Sequence, residues 1–479
     1  FMGIAFLSGL LALLTPCVFP LIPMTVSFFT KGSHGDHKGF KNALFYGLFI
    51  ILIFSFIGVV FSKLFGDQIG DIIAVHWIPN LLFFIIFVVF ALSFLGWFEI
   101  TLPSSFVNKI DARSEKQGLG GVFFMAMTLV LVTFSCTGPI VSTILIQSAG
   151  GSWLMPIFGM FGFSFALALP FTLFAAFPSL LKGLPRSGGW LNSVKVVLGF
   201  VELALAFKFL SQIDLVYGFN ILNRDTFLII WIVIFAVMGF YIIGKIRLPH
   251  DSPLEHLTVF RLLMALVTFG FTIYLTLGLI GAPLKMMSGV LPPMHTQEFN
   301  LLKEDKQANY LCEEPMYGQD FHMPHNLQGY YDLRQAISCA IEQDKPIFLD
   351  YTGKGCSNCR MFENNVWAEE KNLAIMKEDY VVLAMYGDHS IPLPKGEEFE
   401  IDGELYDDIK TANPYFMKQY LGTVAKPSYF VLAYDKEKSR KDKIVLKELQ
   451  KRTNFEEGYD EKIFHEFLKN GLKEYRLMK

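Results

Sequence analysis

Through its first 282 positions the chain alternates long apolar runs with short polar breaks, and then changes character. Runs near 3–30, 40–62, 79–100, 119–148, 153–180, 191–213, 226–246 and 257–282 each meet the roughly 20 residues that a helix needs to cross a bilayer. They predict eight membrane spans, several long enough to tilt or break. Residues 283–328 lack a period and carry Pro292, Pro293, Pro315 and Pro324, the pattern of an irregular arm. Order returns at 330–343, where Leu333, Ala336, Ile337, Ala340 and Ile341 have helical spacing. Positions 346–352 read as a buried strand, and a helix follows through Met361, Phe362, Val366 and Trp367. Positions 380–386, 428–434 and 443–449 read as strands and 460–475 as a closing helix, while Asx and Gly residues in 387–413 suggest an inserted loop. The expected organisation is a polytopic α-helical membrane domain at 1–282, a linker or arm at 283–328 and an α/β domain at 329–479.

Charge sharpens this division. The first 283 residues hold 15 Lys+Arg and 11 Asp+Glu, whereas the remaining 196 hold 26 and 33. A single soluble domain, a disulfide-rich mini-protein and a disordered chain are thereby excluded. With a net charge of −3 overall, −7 in the soluble part (26 − 33), and no basic stripe, no nucleic-acid partner is expected. Lys and Arg orient the spans. The odd connections hold 12, among them Lys31, Lys109, Lys182 and Lys245, and the even ones hold two, Lys63 and Arg224. The odd connections then face the cytoplasm. Both termini and the soluble domain face the other side, which for a bacterial inner membrane is the periplasm. No signal peptide with a cleavage site is read after Phe1.

The first apolar run contains Pro16-Cys17-Val18-Phe19-Pro20, followed by Pro23, and the fourth contains Cys136-Thr137-Gly138-Pro139. Both read Cys-x-x-Pro, and 136 − 17 places them 119 residues, or three spans, apart. A three-span unit used twice inserts the second time upside down, as in many transport folds. Proline removes a backbone hydrogen bond, and freed backbone groups at membrane depth persist only inside protein or beside water. Each motif therefore marks either a broken helix at the midplane or a packing kink beside an inert cysteine. Brought together, two such thiols can close a disulfide that carries two electrons. Glu202 and Lys208 are ionisable groups in the sixth run and so candidates for function. Their six-residue spacing puts them on different helix faces.

In the soluble part Gly353-Lys354-Gly355-Cys356-Ser357-Asn358-Cys359-Arg360 lies between an expected strand and helix. A C-x-x-C in this position signals thiol redox chemistry. At a helix N-terminus Cys356 sits where backbone N–H groups favour a thiolate, and Cys359 one turn on can resolve a mixed disulfide. A zinc site would need further Cys or His at ligand spacing; there is no second C-x-x-C, and no metal is expected.

These residues resemble a thioredoxin-like domain. The resemblance assigns Asp350, six residues before Cys356, to the buried acid that assists proton transfer from the resolving thiol. It assigns Lys426-Pro427 to the cis-proline that lies beside the disulfide and helps bind extended substrate. Gly355 stands where many members have tryptophan. As a whole the chain resembles the DsbD family of thiol:disulfide interchange proteins, whose membrane core is similar to CcdA. Glu363, four residues after Cys359, matches an acid next to that family's active site. Full-length members start with a periplasmic immunoglobulin-like domain carrying another cysteine pair, which these residues lack. Cys312 and Cys339 remain: outside the cytoplasm spare cysteines tend to pair, and a buried free Cys339 is the alternative.

The resemblance implies a transmembrane reductase without a cofactor. Cytoplasmic thioredoxin reduces Cys17–Cys136, that pair reduces Cys356–Cys359, and the soluble domain reduces periplasmic thiol proteins of cytochrome c maturation and disulfide isomerisation. The rivals are a solute transporter with a tethered redox sensor and an oxidase or isomerase that the membrane part merely anchors.

Overall fold

The structure is a computed structural model. It describes residues 2–13, 18, 36–65, 75–98, 120–127, 129–130, 133, 155–176, 188–249, 251, 256–299, 301, 311–401, 403–435, 445–453 and 460–479. They fall into two compact units, one within Phe1–Leu210 and Ile230–Ile273, the other within Ser211–Ile229 and Tyr274–Lys479.

The first unit is helical. Its elements are α1 (Met2–Ala12), α2 (Asp36–Phe65), α3 (Trp77–Phe94), α4 (Met155–Ala176) and most of α5 (Gly188–Tyr217), α6 (Arg224–Ile242) and α7 (Val259–Leu279). Residues 120–127 are also helical. Among the described residues four helices are long and apolar enough to cross a membrane: Trp77–Phe94, Asn192–Tyr217, Arg224–Ile242 and Val259–Leu279. Lys41–Ile57 and Ile157–Leu173 are shorter apolar segments. The third, sixth, seventh and eighth expected runs coincide with the four. Most of the first and fourth runs lies outside the described residues. Leu82, Ile85 and Val89 of α3 and Leu262, Leu263, Leu266 and Val267 of α7 are exposed. A soluble helix hides such residues; a helix in lipid displays them. Close approach of small residues joins α1, α2 and α4, where a Cβ on Gly9 would lie 2.6 Å from the Phe163 carbonyl oxygen.

The second unit is built on a five-stranded sheet. Its strands are β1 (Gly329–Tyr330), β2 (Ile347–Thr352), β3 (Val381–Tyr386), β6 (Ser428–Tyr434) and β7 (Leu446–Thr453), in the order β1-β3-β2-β6-β7. β3 runs parallel to β1 and β2; β6 runs antiparallel to β2 and β7. A separate hairpin pairs β4 (Phe399–Ile401) with β5 (Glu404–Tyr406). The helices are α8 (Leu333–Gln343), α9 (Ser357–Phe362), α10 (Glu370–Asp379), α11 (Ile409–Leu421) and α12 (Glu461–Met478). Every residue of β2 is buried, as expected of a central strand covered on both faces. Its alternation assigns the faces. Ile347, Leu349 and Tyr351 pack with Ala336, Ile337, Met417 and Leu421 of α8 and α11. Phe348 packs with Phe362, Trp367, Phe464 and Phe467 of the α9 and α12 side. By that parity Asp350 belongs to the α9 side.

The described residues of 283–328 are irregular, with single 3-10 turns at Lys285–Met287, Met294–Thr296 and Pro324–Asn326. They are nevertheless tied down. Arg224 Nη1 donates to the Pro292 carbonyl at 2.6 Å, Gln297 Nε2 to the Gly278 carbonyl at 2.9 Å, and the Asp225 carboxylate accepts from the Glu298 amide at 2.7 Å. These bonds tie the arm to α6 and to the end of α7, within the second compact unit. Further along, buried Phe321 stacks on Tyr386 with ring centroids 4.0 Å apart.

Candidate functional site

β2 ends at Thr352 and the chain turns through 353–355 into α9, with Cys356 as its N-cap. The Cys356 sulfur accepts from the Cys359 amide at 3.2 Å, and the two cysteines form a disulfide with Cα atoms 5.3 Å apart. Cys356 is half-buried, while Cys359 is 1% exposed. One sulfur is therefore reachable and the other is not. Beyond Phe362 the helix widens into one π-turn, Glu363–Trp367. The side chains of Asn364 and Asn365 occupy the carbonyls of Arg360 and Met361 there, at 2.9 and 2.8 Å.

The Lys426–Pro427 peptide bond is cis. Tyr351 pairs with Ser428, so by register Pro427 lies beside Thr352, where the 353–356 loop leaves the sheet. From the end of β3, buried Asp388 reaches the same loop. Its carboxylate accepts from the Lys354 and Gly355 amides, both at 2.8 Å. A Cβ on Gly353 would overlap that carboxylate. Sequence reading missed Asp388; its only signal is an Asx-Gly cluster indistinguishable from a loop.

Beneath α9 lies a buried polar cluster of Asp350, Thr352, Arg360, Glu363 and Tyr386. Arg360 Nη1 pairs with Glu363 Oε2 at 2.8 Å, and its Nη2 donates to Thr352 Oγ1 at 3.2 Å. Burial pushes the Glu363 carboxyl up to about 7, with Arg360 opposing the shift. Burial, with Glu363 adding to it, pushes Asp350 well above the usual carboxylate range despite Arg360. Burial alone would lower Arg360, but Glu363, Tyr386 and Asp350 outweigh it and keep the guanidinium charged. The cluster holds two acids and one cation, and burial favours the protonated form of both carboxyls.

Cys312 and Cys339 form a second disulfide, Cα atoms 5.8 Å apart, that joins the arm to α8. Cys17, Cys136, Pro16, Pro20, Pro23, Gly138 and Pro139 lie outside the described residues. Glu202 of α5 is buried. Among the described residues no group of three or more His, Cys, Asp and Glu gathers as a metal site.

Fold and site define a class: an apolar helical domain joined to a thioredoxin-like domain with a C-x-x-C at the start of a helix. Residues 1–214 match the family described as the cytochrome C biogenesis protein transmembrane domain, and residues 327–406 match a thioredoxin-like family. The chain is 28% identical over 378 residues to the thiol:disulfide interchange protein DsbD of Campylobacter jejuni (strain RM1221), covering 77% of this chain and 59% of that protein. It is 26% identical over 368 residues to DsbD 1 of Pseudomonas aeruginosa, covering 75% and 57%. Against DsbD of Haemophilus influenzae (strain PittEE) it is 32% identical over 214 residues, 43% and 36% of the two chains. The chain resembles the DsbD family in both its membrane and its thioredoxin-like parts, and its matches span less than two thirds of these relatives.

Proposed function

We propose that the chain is a protein-disulfide reductase that moves two electrons across the bacterial inner membrane. The observation that carries this is the asymmetric pair, reachable Cys356 bridged to buried Cys359 at a helix start, in a chain that also bears apolar spanning helices. In this reading the membrane domain has eight spans in two inverted halves, with Cys17 and Cys136 in the first and fourth. The domains are 1–282, 283–328 and 329–479, and the last faces the periplasm.

Each step is thiolate–disulfide exchange. A thiolate of the Cys17/Cys136 dithiol attacks Cys356 Sγ, the Cys356–Cys359 bond breaks, and Cys359 leaves as a thiolate that takes a proton. The second membrane thiol then attacks its partner sulfur in the mixed disulfide and releases Cys356 as a thiolate. Two electrons have moved, and the membrane pair is again a disulfide. Asp350 and Glu363 supply and receive the proton at Cys359, and Pro427 presents an edge to the substrate chain. Cys356 then attacks the disulfide of a periplasmic protein, of cytochrome c maturation or disulfide isomerisation, and Cys359 resolves the complex. Cytoplasmic thioredoxin near about −270 mV and periplasmic oxidants near about −120 mV leave roughly 7 kcal/mol of downhill drive.

The test is reconstitution in vesicles with the cytoplasmic loops outward and reduced thioredoxin outside. Alkylation and mass shift count free thiols at Cys356 and Cys359. They become reduced in the parent and stay oxidised in Cys17→Ser. Equal reduction in both, or in neither, refutes transfer through the membrane cysteines.

A further inference from the structure

The 353–356 loop is gripped from a second side by residues far away in the chain. Gln212 Nε2 donates to the Gly355 carbonyl at 2.6 Å across 143 positions, in a buried contact. A Cβ on Gly355 would overlap that amide and come within 3.1 Å of Val216 Cγ2. His389 Nδ1 lies 2.8 Å from the Val216 carbonyl, and its Nε2 lies 3.0 Å from Lys354 Nζ. An ammonium only donates, so Nε2 accepts and Nδ1 carries the proton that Val216 receives. The Val216 carbonyl is available because it is among the last four of α5, which have no partner within a helix. Burial and Lys354 hold His389 below its usual range, in keeping with this neutral tautomer.

We propose that the last turns of α5, residues 211–217, are a docking seat for the C-x-x-C loop, with Gln212 and the Val216 carbonyl recognising Gly355 and His389. The seat occupies the space that a large residue before Cys356 would fill, so glycine at 355 is the mark of the docked arrangement. It also lies against the loop that a protein substrate must approach. A bulky partner therefore reacts with the fraction of molecules whose loop has left the seat, while a small thiol reagent reaches half-exposed Cys356 without undocking. Gln212 is a positioning residue: it sets how long the loop is held, and touches no reacting atom.

The inference rests on the exchange chemistry proposed above but not on transfer through the membrane. Its test uses the full chain in detergent with Cys17→Ser and Cys136→Ser, oxidised at Cys356–Cys359, at pH 8. Two reductants are compared, dithiothreitol and soluble reduced thioredoxin as the bulky probe. Gln212→Glu keeps the size but removes the donor; Gln212→Lys keeps a donor. Loss of one buried hydrogen bond raises the undocked fraction about five-fold. Reduction by thioredoxin is expected to quicken about five-fold in Gln212→Glu and to stay within two-fold of parent in Gln212→Lys, with dithiothreitol rates unchanged in both. No change in Gln212→Glu overturns the seat. Equal acceleration in both variants, or equal acceleration with both reductants, overturns it too, because packing or intrinsic reactivity then accounts for the effect. If the pair accepts no electrons from thioredoxin but does from dithiothreitol in every variant, the seat is refuted as the gate. If neither reductant acts, the exchange chemistry itself fails.

Discussion

Glu363 is expected to make the stability of the sheet domain fall as pH rises through neutrality. Its carboxyl is buried against Arg360 and titrates at about 7, against 4.5 in the unfolded chain. Burial disfavours the charged form, so the native state binds this proton more tightly than the unfolded state does. Between the two values the folded protein holds more protons, and stability decreases with increasing pH. The stabilisation is complete below pH 4.5 and is lost as pH passes 7. A gap of 7 − 4.5 corresponds to about 3 kcal/mol, most of it between pH 5 and 8. Asp350 is shifted in the same direction and adds to the decline.

Native-state hydrogen exchange on the oxidised full chain reads this directly. Peptides covering β2 and β3 are followed from pH 5 to 8, with intrinsic exchange rates divided out. The opening free energy of the parent is expected to drop by about 3 kcal/mol, plus the share of Asp350. Glu363→Gln removes the titration and shrinks the drop by most of that amount. Protection that is flat or rising with pH in the parent, or the same slope in Glu363→Gln, refutes the placement of a neutral-range proton under α9.

Three other substitutions probe named contacts. Arg360→Met leaves Glu363 buried without its cation and should cost about 3–5 kcal/mol at pH 8, less at pH 5 where Glu363 is protonated, measured as urea midpoints of the oxidised chain. Removing the second disulfide with Cys312→Ser and Cys339→Ser frees a loop of 27 positions and should cost about 3.5 kcal/mol, seen as faster proteolysis between the arm and α8. Asp332→Ala deprives the Arg334 and Gln335 amides of their acceptor at the start of α8, for a loss of about 1 kcal/mol, seen as faster amide exchange in that first turn.

What was legible in the sequence was what is coded locally. β2 and β6 are apolar runs between breakers, α12 follows Asp460, and the C-x-x-C lies between strand and helix as its spacing suggests. α10 was missed because it is largely polar and buries only Asn372 and Met376. α11 was missed because it carries Pro414 in its interior and lies behind a stretch rich in Asx and Gly. The hairpin of β4 and β5 has three residues per strand, too few to show a period. The last strand was expected at 443–449 and lies at Leu446–Thr453, with a register shift opposite Val431/Leu432. In the membrane part hydropathy locates runs, while the cysteine motifs that give them meaning lie outside the described residues. Asp388 and Gln212 are separated from the loop they hold by 33 and 143 positions, and no local pattern announces such contacts.

Those two residues hold the same loop with different scope. Asp388 bonds the Lys354 and Gly355 amides from the end of β3, inside the sheet domain, so it shapes the loop in every state in which that domain is folded. Gln212 bonds the Gly355 carbonyl from α5, so its grip exists only while the loop is seated. In the function proposed above, a nucleophile that meets different protein disulfides in turn needs both properties: a fixed geometry around sulfur, and a contact that lets go. The buried acids meet the other requirement. In the exchange proposed above, a proton moves at Cys359 each time the pair opens or closes, and a carboxyl raised to about 7 by burial, as Glu363 is, suits giving or taking one near neutrality. The stability lost as this proton leaves above neutrality and the use proposed for it in exchange would thus share one physical origin, a carboxyl kept from water beneath α9.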